Sequence, residues 1–324
     1  MSPPPFSPSQ CASQHIPVLL NEIIESIAPE DGKTYVDGTF GAGSYSRSIL
    51  NAAKCTVWAI DRDKDAIKRS ASLKKEFPQR FKFLLGKFGD MEQLLKENGA
   101  KEINGIALDL GVSSFQIDEA ERGFSFQKDG PLDMRMGESS ETAADALATL
   151  GETEIADILY KFGDERKSRP IARAIVRERA KTPITTTRQL AEIVRRIIPA
   201  KKGQIDPATR TFQAIRIYIN DEMGELQRAL ESAENILAPG GKLAVVSFHS
   251  IEDRCVKHFL KNRSEHKGLS RYVPEAEEGH KTFKLLTRKA ITPSQSEISQ
   301  NPRSRSARLR VAERIFPSQS RTMP

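Results

Sequence analysis

Apolar residues in the first 115 positions fall into short runs that alternate with amphipathic stretches. The runs have the length and composition of buried strands and occupy Thr34–Asp37, Thr56–Asp61, Phe81–Leu85 and Gly105–Leu110. Helical spacing is found at 46–53, 63–75 and 91–98, and also before the first strand at Val18–Ile27. Alternation of strands and helices predicts a parallel sheet covered by helices on both faces.

The strand pattern stops at about residue 117 and returns near residue 242. Helical spacing fills the interval at 140–150, 153–162, 168–180, 187–198 and 208–236. A turn at Ala238–Gly241 then leads into a strand at Lys242–Phe248 and a helix at Ile251–Lys261. Two last strands, Thr282–Thr287 and Ala307–Glu313, are expected to pair antiparallel at the sheet edge, with loops at 262–281 and 289–305.

These changes of pattern predict one α/β domain interrupted by an all-helical insertion. We place the α/β domain at 15–116 and 217–316, the insertion at 117–216, and disordered tails at 1–14 and 317–324. The first tail is rich in Pro and Ser and resembles neither a signal peptide nor a transit peptide. Apolar runs stay well below the roughly 18 residues of a membrane span. We therefore expect a cytoplasmic protein with no membrane partner.

Charge is concentrated in two parts of the chain, whose overall net charge is +7. Residues 160–216 hold 15 Lys and Arg against five acids, and residues 301–324 hold six Arg and one Glu. Such blocks favour a polyanionic partner, although a solvated helix face has the same composition. The three cysteines and five histidines are scattered without metal-ligand spacing, so we expect reduced thiols and no metal.

A glycine-rich loop, Val36–Ser44, follows the first strand and opens a helix. Glycine permits a tight turn and close approach to a ligand, and the helix N-terminus favours an anionic group. Asp61 ends the second strand and could accept both hydroxyls of a ribose. Ser46 stands where a dinucleotide loop has its third glycine, which favours adenosylmethionine but leaves a nicotinamide cofactor open. Phe88, after the third strand, could stack on adenine or simply pack in the core.

Polar residues also follow the fourth and fifth strands. Asp109 ends the fourth strand, beside the crevice where open α/β sheets bind ligands, and could also serve only to cap a turn. His249 follows the fifth strand and could contact a substrate or lie satisfied in the core. The two residues are our candidate catalytic groups.

Nine runs of this sequence resemble the RsmH (MraW) family. They are His15–Glu22, Asp37–Gly43, Ala59–Asp63, Leu108–Ser114, Arg122–Phe126, Gly130–Met136, Pro207–Gln213, Ser247–Asp253 and Asn301–Ser306. They occur in order from residue 15 to near the end of the chain, and several are long, so the resemblance is specific.

The resemblance implies a class I (Rossmann-like) methyltransferase sheet with an inserted all-helical domain. It implies methyl transfer from S-adenosylmethionine to the N4 amino group of a decoding-centre cytidine in 16S rRNA of the small ribosomal subunit. Cofactor contacts would fall on Gly43, Ser44, Tyr45, Asp61, Phe88, Asp109 and Gln116. Many family members have Gly-Gly-His at Gly43-Ser44-Tyr45, and a serine fits there if its φ is negative.

Cytosine N4 is a poor nucleophile because its lone pair is delocalised into the ring. An acceptor that holds the amino hydrogens, such as Asp109, would direct the lone pair at the methyl group, and positioning would supply most of the rate. Asp109 could instead bind the amino group of the cofactor, and His249 could contact the base or its phosphate. RNA backbone contacts are expected at Arg173, Arg177, Arg210, Arg303 and Arg305.

Four other functions compete with this hypothesis. A nicotinamide oxidoreductase lacks support because the third glycine is missing. A cytosine-C5 methyltransferase needs a cysteine nucleophile, and Cys55 and Cys255 fall within a strand and a helix. A DNA amino-methyltransferase usually has a Pro-Pro-aromatic loop where this chain has Gly111–Ser114. An RNA-binding assembly factor with a vestigial cofactor site would have little reason to keep Asp61 and Asp109.

Overall fold

The computed structural model describes residues 17–137, 141–265 and 281–315, so both expected tails lie outside the described residues. The strands are β1 Thr34–Asp37, β2 Thr56–Asp61, β3 Phe81–Leu85, β4 Ile103–Asp109, β5 Leu237–Ser247, β6 Phe283–Leu285 and β7 Arg308–Arg314. They form one sheet in the order β3-β2-β1-β4-β5-β7-β6. Neighbours from β3 to β5 pair parallel, and β7 pairs antiparallel with both β5 and β6.

Thirteen helices are found within the described residues. They are α1 Leu20–Ile27, α2 Ser44–Ala52, α3 Asp65–Glu76, α4 Met91–Glu97, α5 Ser114–Asp118, α6 Ala143–Thr149, α7 Glu152–Gly163, α8 Ser168–Arg179, α9 Thr187–Ile197, α10 Ala208–Asn220, α11 Glu222–Ile236, α12 Ser250–Ser264 and α13 Gln295–Gln300. Short 3₁₀ turns occur at Phe88–Asp90, Ala120–Arg122 and Pro302–Ser306. In this part of the chain no helix is both long and apolar enough to cross a membrane.

The sheet is buried on both faces, as the sequence predicted. Successive strand residues alternate between two cores: Tyr35 packs with α1 and α2, whereas Val36 packs with α4 and α11. The same alternation places Ala107 in the first core and Leu108 in the second. Continuous apolar runs are therefore required in these strands. The mainly parallel sheet with helices on both faces is Rossmann-like, as predicted.

A third core lies away from the sheet. It gathers buried residues between Leu132 and Ile215, mostly from α6 to α10. Asp221 then adopts a left-handed φ of 48° between α10 and α11, and α11 packs on the sheet. We propose that the helices of the third core are the insertion expected at 117–216, with the return to the sheet near Asp221.

Three local predictions were wrong. The helical stretch 208–236 is two helices, because the left-handed Asp221 turns the chain within a continuous apolar pattern. Part of the loop expected at 289–305 is helical, since Ser294 caps α13 and Asn301 caps the following 3₁₀ turn. Strand β5 begins at Leu237 rather than Lys242, and the predicted turn is a bulge in the strand with Gly240 at a φ of 81°.

Candidate cofactor and substrate site

The strand order reverses between β1 and β4, and a cavity of about 500 Å³ opens there at the carboxyl ends of the strands. Open α/β sheets bind ligands at such a reversal, and the volume falls within the range of small-molecule sites. The lining includes the β1–α2 loop, the ends of β2 and β4, and the segment after β5. Of the predicted cofactor and catalytic residues, Ser44, Tyr45, Asp61, Phe88, Asp109, Gln116 and His249 line this cavity.

The β1–α2 loop is held in place from behind by Asp37, which is fully buried. Its carboxylate accepts hydrogen bonds from the Ser46 hydroxyl at 2.6 Å and from the Ser46 and Thr39 backbone at 3.1 and 3.4 Å. Burial raises the pKa of Asp37 to about 6, against the opposing effect of these donors. Asp37 therefore orders the loop and the start of α2.

Gly43 is required by the turn itself. Its φ of 81° lies in the left-handed region, and an added Cβ would stand 2.6 Å from the Phe40 ring and 2.8 Å from Leu73. Gly43 is not among the residues that line the cavity in the described part of the chain. Its contribution to a cofactor site is through the path of the backbone.

Asp61 joins this loop to the end of β2. One carboxylate oxygen accepts the Gly41 N–H at 2.9 Å and the other accepts the Asp63 N–H at 2.8 Å. Each oxygen of an ionised carboxylate can accept a second hydrogen bond, so two acceptor positions remain for ribose hydroxyls. Burial raises the pKa of Asp61, against the two backbone donors.

Ser44 and Tyr45 begin α2 at the cavity wall. Ser44 is the first residue of the helix and is not among the residues with positive φ, so its Cβ fits the backbone found here. Tyr45 is buried, and its hydroxyl donates a hydrogen bond to the Val18 carbonyl. The replacement of Gly-His by Ser-Tyr thus leaves the turn intact and links it to the N-terminal segment.

Phe88 and Gln116 also line the cavity. Phe88 opens the 3₁₀ turn after β3 and is half-buried, which suits a stacking surface. Gln116 is buried, and its side-chain oxygen accepts the Ser113 N–H at 3.0 Å. This capping box fixes α5 and the loop after β4.

Asp109 presents an unsatisfied acceptor to the cavity. Its backbone N–H donates to the Thr39 hydroxyl at 2.7 Å, which ties β4 to the β1 loop. Its Oδ1 is buried and has no hydrogen-bond partner among the described residues. Burial raises the pKa of Asp109 well above its ordinary value, the nearby charges of Asp37 and Glu252 add to the effect, and the Tyr45 hydroxyl opposes it.

His249 lies just after the end of β5 and caps the N-terminus of α12. Its Nδ1 accepts the Glu252 N–H at 3.4 Å, and the Glu252 carboxylate accepts the Phe248 N–H at 2.8 Å. His249 Nε2 lies 3.0 Å from a Glu252 oxygen but, within the described structure, makes no well-directed hydrogen bond. Although burial opposes it, contact with the His249 ring and the charge of Arg216 lower the pKa of Glu252.

Arg216 of α10 extends this network into the helices of the third core, α6 to α10, which we call the helical layer. It forms a bidentate pair with Glu222 at 2.7 and 2.8 Å, and both side chains are largely buried. Glu222, His249 and Glu252 offer ligand atoms within 4.8 Å of one another, as in a metal site. Arg216 already engages Glu222, however, and Nδ1 of His249 accepts a hydrogen bond, so the proton lies on Nε2. These contacts favour an ion-pair network, and the absence of a metal stays a prediction.

The helical layer and both ends of the described chain complete the cavity wall. Phe126 and Phe212 line it in an edge-to-face pair with ring centroids 4.8 Å apart. Other contributors are Phe124, Gln213 and Arg216 from the helical layer, Pro17 and Val18 from the N-terminal side, and Asn301 and Arg303 from the C-terminal side. Sequence reasoning missed most of these residues because they meet only in the folded chain. The Pro207–Gln213 run was the one available signal for Phe212 and Gln213.

The five predicted RNA contacts are not all in one place. Arg303 lines the cavity and pairs with Asp118 at 2.6 Å, and Arg305 is exposed in the same 3₁₀ turn. Arg173 and Arg177 lie on α8, with side chains 75% and 66% exposed, and Arg210 is exposed on α10. The structure therefore divides them between the cavity mouth and the outer surface of the helical layer.

The cavity has the donors and acceptors that adenosylmethionine requires. Asp61 offers acceptors for a ribose, and Phe88 offers an aromatic face for adenine. The start of α2 at Ser44 suits a carboxylate. The residues present thus fit this cofactor.

Comparison with known proteins identifies the chain. Residues 12–315 match the MraW methylase family. Ribosomal RNA small subunit methyltransferase H of Rhodospirillum rubrum is 54% identical, over 94% of this chain and 95% of that protein. The protein of the same name from Paramagnetospirillum magneticum is 55% identical, over 93% and 95%.

Solved structures are more distant. An rRNA methylase from Streptococcus thermophilus shares 11% identity and a TM-score of 0.39, over 92% of this chain and 94% of that one. This identity and TM-score are too low to indicate a shared function. The match over almost the whole sequence, with relatives above 50% identity of nearly equal length, shows that the chain belongs to the MraW methylase family.

Proposed function

We propose that this protein transfers a methyl group from S-adenosylmethionine to the N4 amino group of a decoding-centre cytidine in 16S rRNA. The chain is a methyltransferase acting on small-subunit ribosomal RNA, and S-adenosylmethionine is its methyl donor. The choice of cytidine N4, an assembled small subunit as partner and a cytoplasmic location are parts of the proposal. The bound donor supplies an electrophilic methyl group on a sulfonium.

The observation that carries the proposal is the buried, unpartnered Asp109 Oδ1 at the end of β4. An exocyclic amine offers two N–H donors, and a carboxylate oxygen that accepts one of them turns the nitrogen lone pair away from itself. The lone pair can then face the cofactor side of the cavity. The amine loses a proton as its new bond forms, because it becomes acidic, so no strong base is needed.

The remaining polar groups would hold the donor. Asp61 would bind the ribose hydroxyls, Phe88 would pack on adenine, and Ser44 and Tyr45 would border the amino-acid end. Gln116 would shape the wall by fixing α5. Each assignment agrees with a position at the cavity lining.

The target nucleotide would enter from the side of the helical layer. An enzyme that modifies a base must take it out of its stack, and apolar or aromatic side chains then hold the extruded ring. Phe126 and Phe212 line the cavity on this side. Arg303 and Arg305 near the mouth, and Arg173, Arg177 and Arg210 farther out, would contact phosphates.

The rival hypotheses fit the cavity less well. Cytosine-C5 methylation needs a cysteine nucleophile, yet neither Cys55 nor Cys255 is among the lining residues of the described chain. A vestigial site would not need an acceptor that is both buried and unpartnered, because such a group destabilises the fold.

Radiolabelled methyl transfer tests the proposal. Small subunits lacking the modification are incubated with the protein and labelled S-adenosylmethionine, and the RNA is digested to nucleosides and separated by chromatography. We expect the label in N4-methylcytidine. Label in another nucleoside, or no label although the cofactor binds, would overturn the proposal.

A further inference from the structure

Two buried polar atoms of opposite hydrogen-bonding character belong to residues that line the same cavity, and neither makes a well-directed hydrogen bond within the described structure. Within the described residues, buried side-chain atoms lacking any hydrogen-bond partner are Arg62 Nε, Asp109 Oδ1, Thr211 Oγ1 and His249 Nε2. Asp109 and His249 follow the adjacent parallel strands β4 and β5, and both residues line the cavity. Leaving such atoms unpaired destabilises a protein, so their presence at one site points to a ligand.

The neighbours of His249 decide which of its nitrogens carries the proton. Nδ1 accepts the Glu252 backbone N–H within the cap of α12. A neutral imidazole has one donor and one acceptor, so Nε2 is the donor. The nearest carboxylate oxygen of Glu252, at 3.0 Å, is out of line with Nε2. The other oxygen of Glu252 accepts the Phe248 N–H, which holds this carboxylate in place.

An acceptor at Asp109 and a donor at His249 have the hydrogen-bonding character that one pyrimidine edge requires. Cytosine presents a donor at N4 beside an acceptor at N3, whereas uracil presents an acceptor at O4 beside a donor at N3. Asp109 Oδ1 and His249 Nε2–H are therefore complementary to cytosine and mismatched with uracil at both positions. A site that hydrogen-bonds its substrate rejects an analogue that lacks the partner, because its own buried groups are left unpaired.

We propose that His249 reads the target base by donating from Nε2 to cytosine N3, while Asp109 accepts from N4. This inference rests on the proposed function and deepens it. Glu252 is a positioning residue, because its backbone N–H fixes the tautomer of His249 and its carboxylate limits the tilt of the ring. Although burial opposes it, contact with His249 and the charge of Arg216, which Glu222 holds, lower the pKa of that carboxylate.

The test combines a change in the protein with a change of one atom in the base. Small subunits are reconstituted with either cytidine or 3-deazacytidine at the target position. The second base keeps the N4 amine and replaces N3 by C–H. The native protein should lose roughly 5- to 150-fold in kcat/KM on the deaza substrate, because Nε2–H is then unpaired.

His249→Asn is the matching protein variant, since asparagine is among the best helix caps and leaves the end of α12 intact. The variant should be slower on cytidine. Its kcat/KM values on the two substrates should differ by less than about twofold. A role of His249 in structure alone would slow both substrates equally and leave the native discrimination. His258→Asn makes the same replacement at an exposed position of α12 and should behave like the native protein.

The outcomes separate this inference from the function on which it rests. Equal native rates on cytidine and 3-deazacytidine, with label in the N4-methylated nucleosides, would overturn the role of His249 and leave the proposed function standing. Undiminished discrimination by the His249→Asn variant would do the same. Absence of label from both substrates with native protein would contradict the proposed function itself, and this inference would fall with it.

Discussion

Asp37 and Asp109 end the neighbouring strands β1 and β4, yet the protein treats the two carboxylates differently. Asp37 is fully buried behind the cofactor loop and accepts hydrogen bonds from Ser46 and Thr39. Asp109 has a buried oxygen with no partner in the described structure, and it faces the cavity. Burial raises the pKa of both groups, so both destabilise the fold when ionised. Donors from Ser46 and Thr39 oppose this shift at Asp37, whereas at Asp109 only the Tyr45 hydroxyl does.

The difference separates structural from functional polar groups. A carboxylate whose donors all come from the protein holds a loop in shape. A carboxylate that is buried without donors keeps its binding capacity for a ligand. Asp61 lies between these cases, since each of its oxygens accepts one backbone N–H and retains room for a second donor.

Removing the charge of Asp109 gives the largest expected effect. Asp109→Asn should lower kcat roughly 100-fold or more, because an amide holds the target amine less strongly. The melting temperature should stay level or rise, since a carboxylate with a raised pKa opposes folding when it is ionised. Single-turnover methyl transfer and thermal unfolding measure the two quantities.

The pH dependence gives a second measurement on the same variant. The ionised form of Asp109 is the active one and its pKa is raised, so native kcat/KM should fall with decreasing pH while still above the ordinary carboxylate range. The Asp109→Asn variant should not show this decrease of kcat/KM at low pH. Asp90→Asn, at an exposed residue after β3, is the control and should keep it. A variant as active as the native protein would show that Asp109 resembles Asp37 in role.

The same distinction applies to the surface arginines, where the expected effect is intermediate. Arg173 pairs with Glu152 and Arg177 with Glu178, but these exposed pairs are weak and leave the cations available to phosphate. Replacing Arg173, Arg177 and Arg210 by alanine should weaken subunit binding roughly 10-fold at physiological salt. The slope of log affinity against log salt should decrease by about 2 to 3.

Three exposed lysines on the sheet side, Lys75, Lys96 and Lys101, provide the matched control. Their replacement by alanine removes the same charge and should leave the salt slope nearly unchanged. Equal effects of both triple variants would mean that net charge alone governs binding. The helical layer would then lose its proposed role in holding RNA.

The Ser46→Ala variant removes a donor to the Asp37 carboxylate and gives the smallest expected effect. Loss of the hydroxyl donor to Asp37 should destabilise the fold by about 1 to 3 kcal/mol and change kcat only slightly. Asp37 has a folded pKa near 6, above its usual 3.8, so its stabilising contribution is present below pH 3.8 and lost as the pH rises through 6. The variant raises this pKa further, so its melting temperature should fall more at pH 7.5 than at pH 5.

Sequence patterns predicted the bounds of an element correctly where its local preference and its packing in the fold favour the same structure. Strands β1, β2 and β3 begin and end as predicted, because each is a short apolar run bounded by polar residues. The turn at Asp221 was missed because it depends on a left-handed backbone conformation that the apolar pattern does not reveal. Helix α13 was missed because it depends on a contact with a residue far away in the sequence. The polar α13 is held partly by Glu297, which accepts the Leu19 N–H from the other end of the described chain at 2.8 Å.

The candidate site shows the same division. Asp61, Phe88 and Asp109 could be named because the ends of parallel strands meet at one edge. The ion-pair network could not, since it joins Arg216 of the helical layer and Glu222 of α11 to Glu252 of α12. Sequence spacing does not indicate that these three residues meet. The tautomer of His249 likewise depends on a cap that appears only in the folded structure.

The position of the last strands has a consequence for synthesis of the protein. Strand β7 lies between β5 and β6, so β6 has to wait for a strand made later before it can join the sheet. Pro17 and Val18 border the cavity together with Arg303, so the pocket is complete only when two segments that are far apart in the sequence have met. A growing chain in which Arg303 has not yet been made therefore lacks a finished pocket.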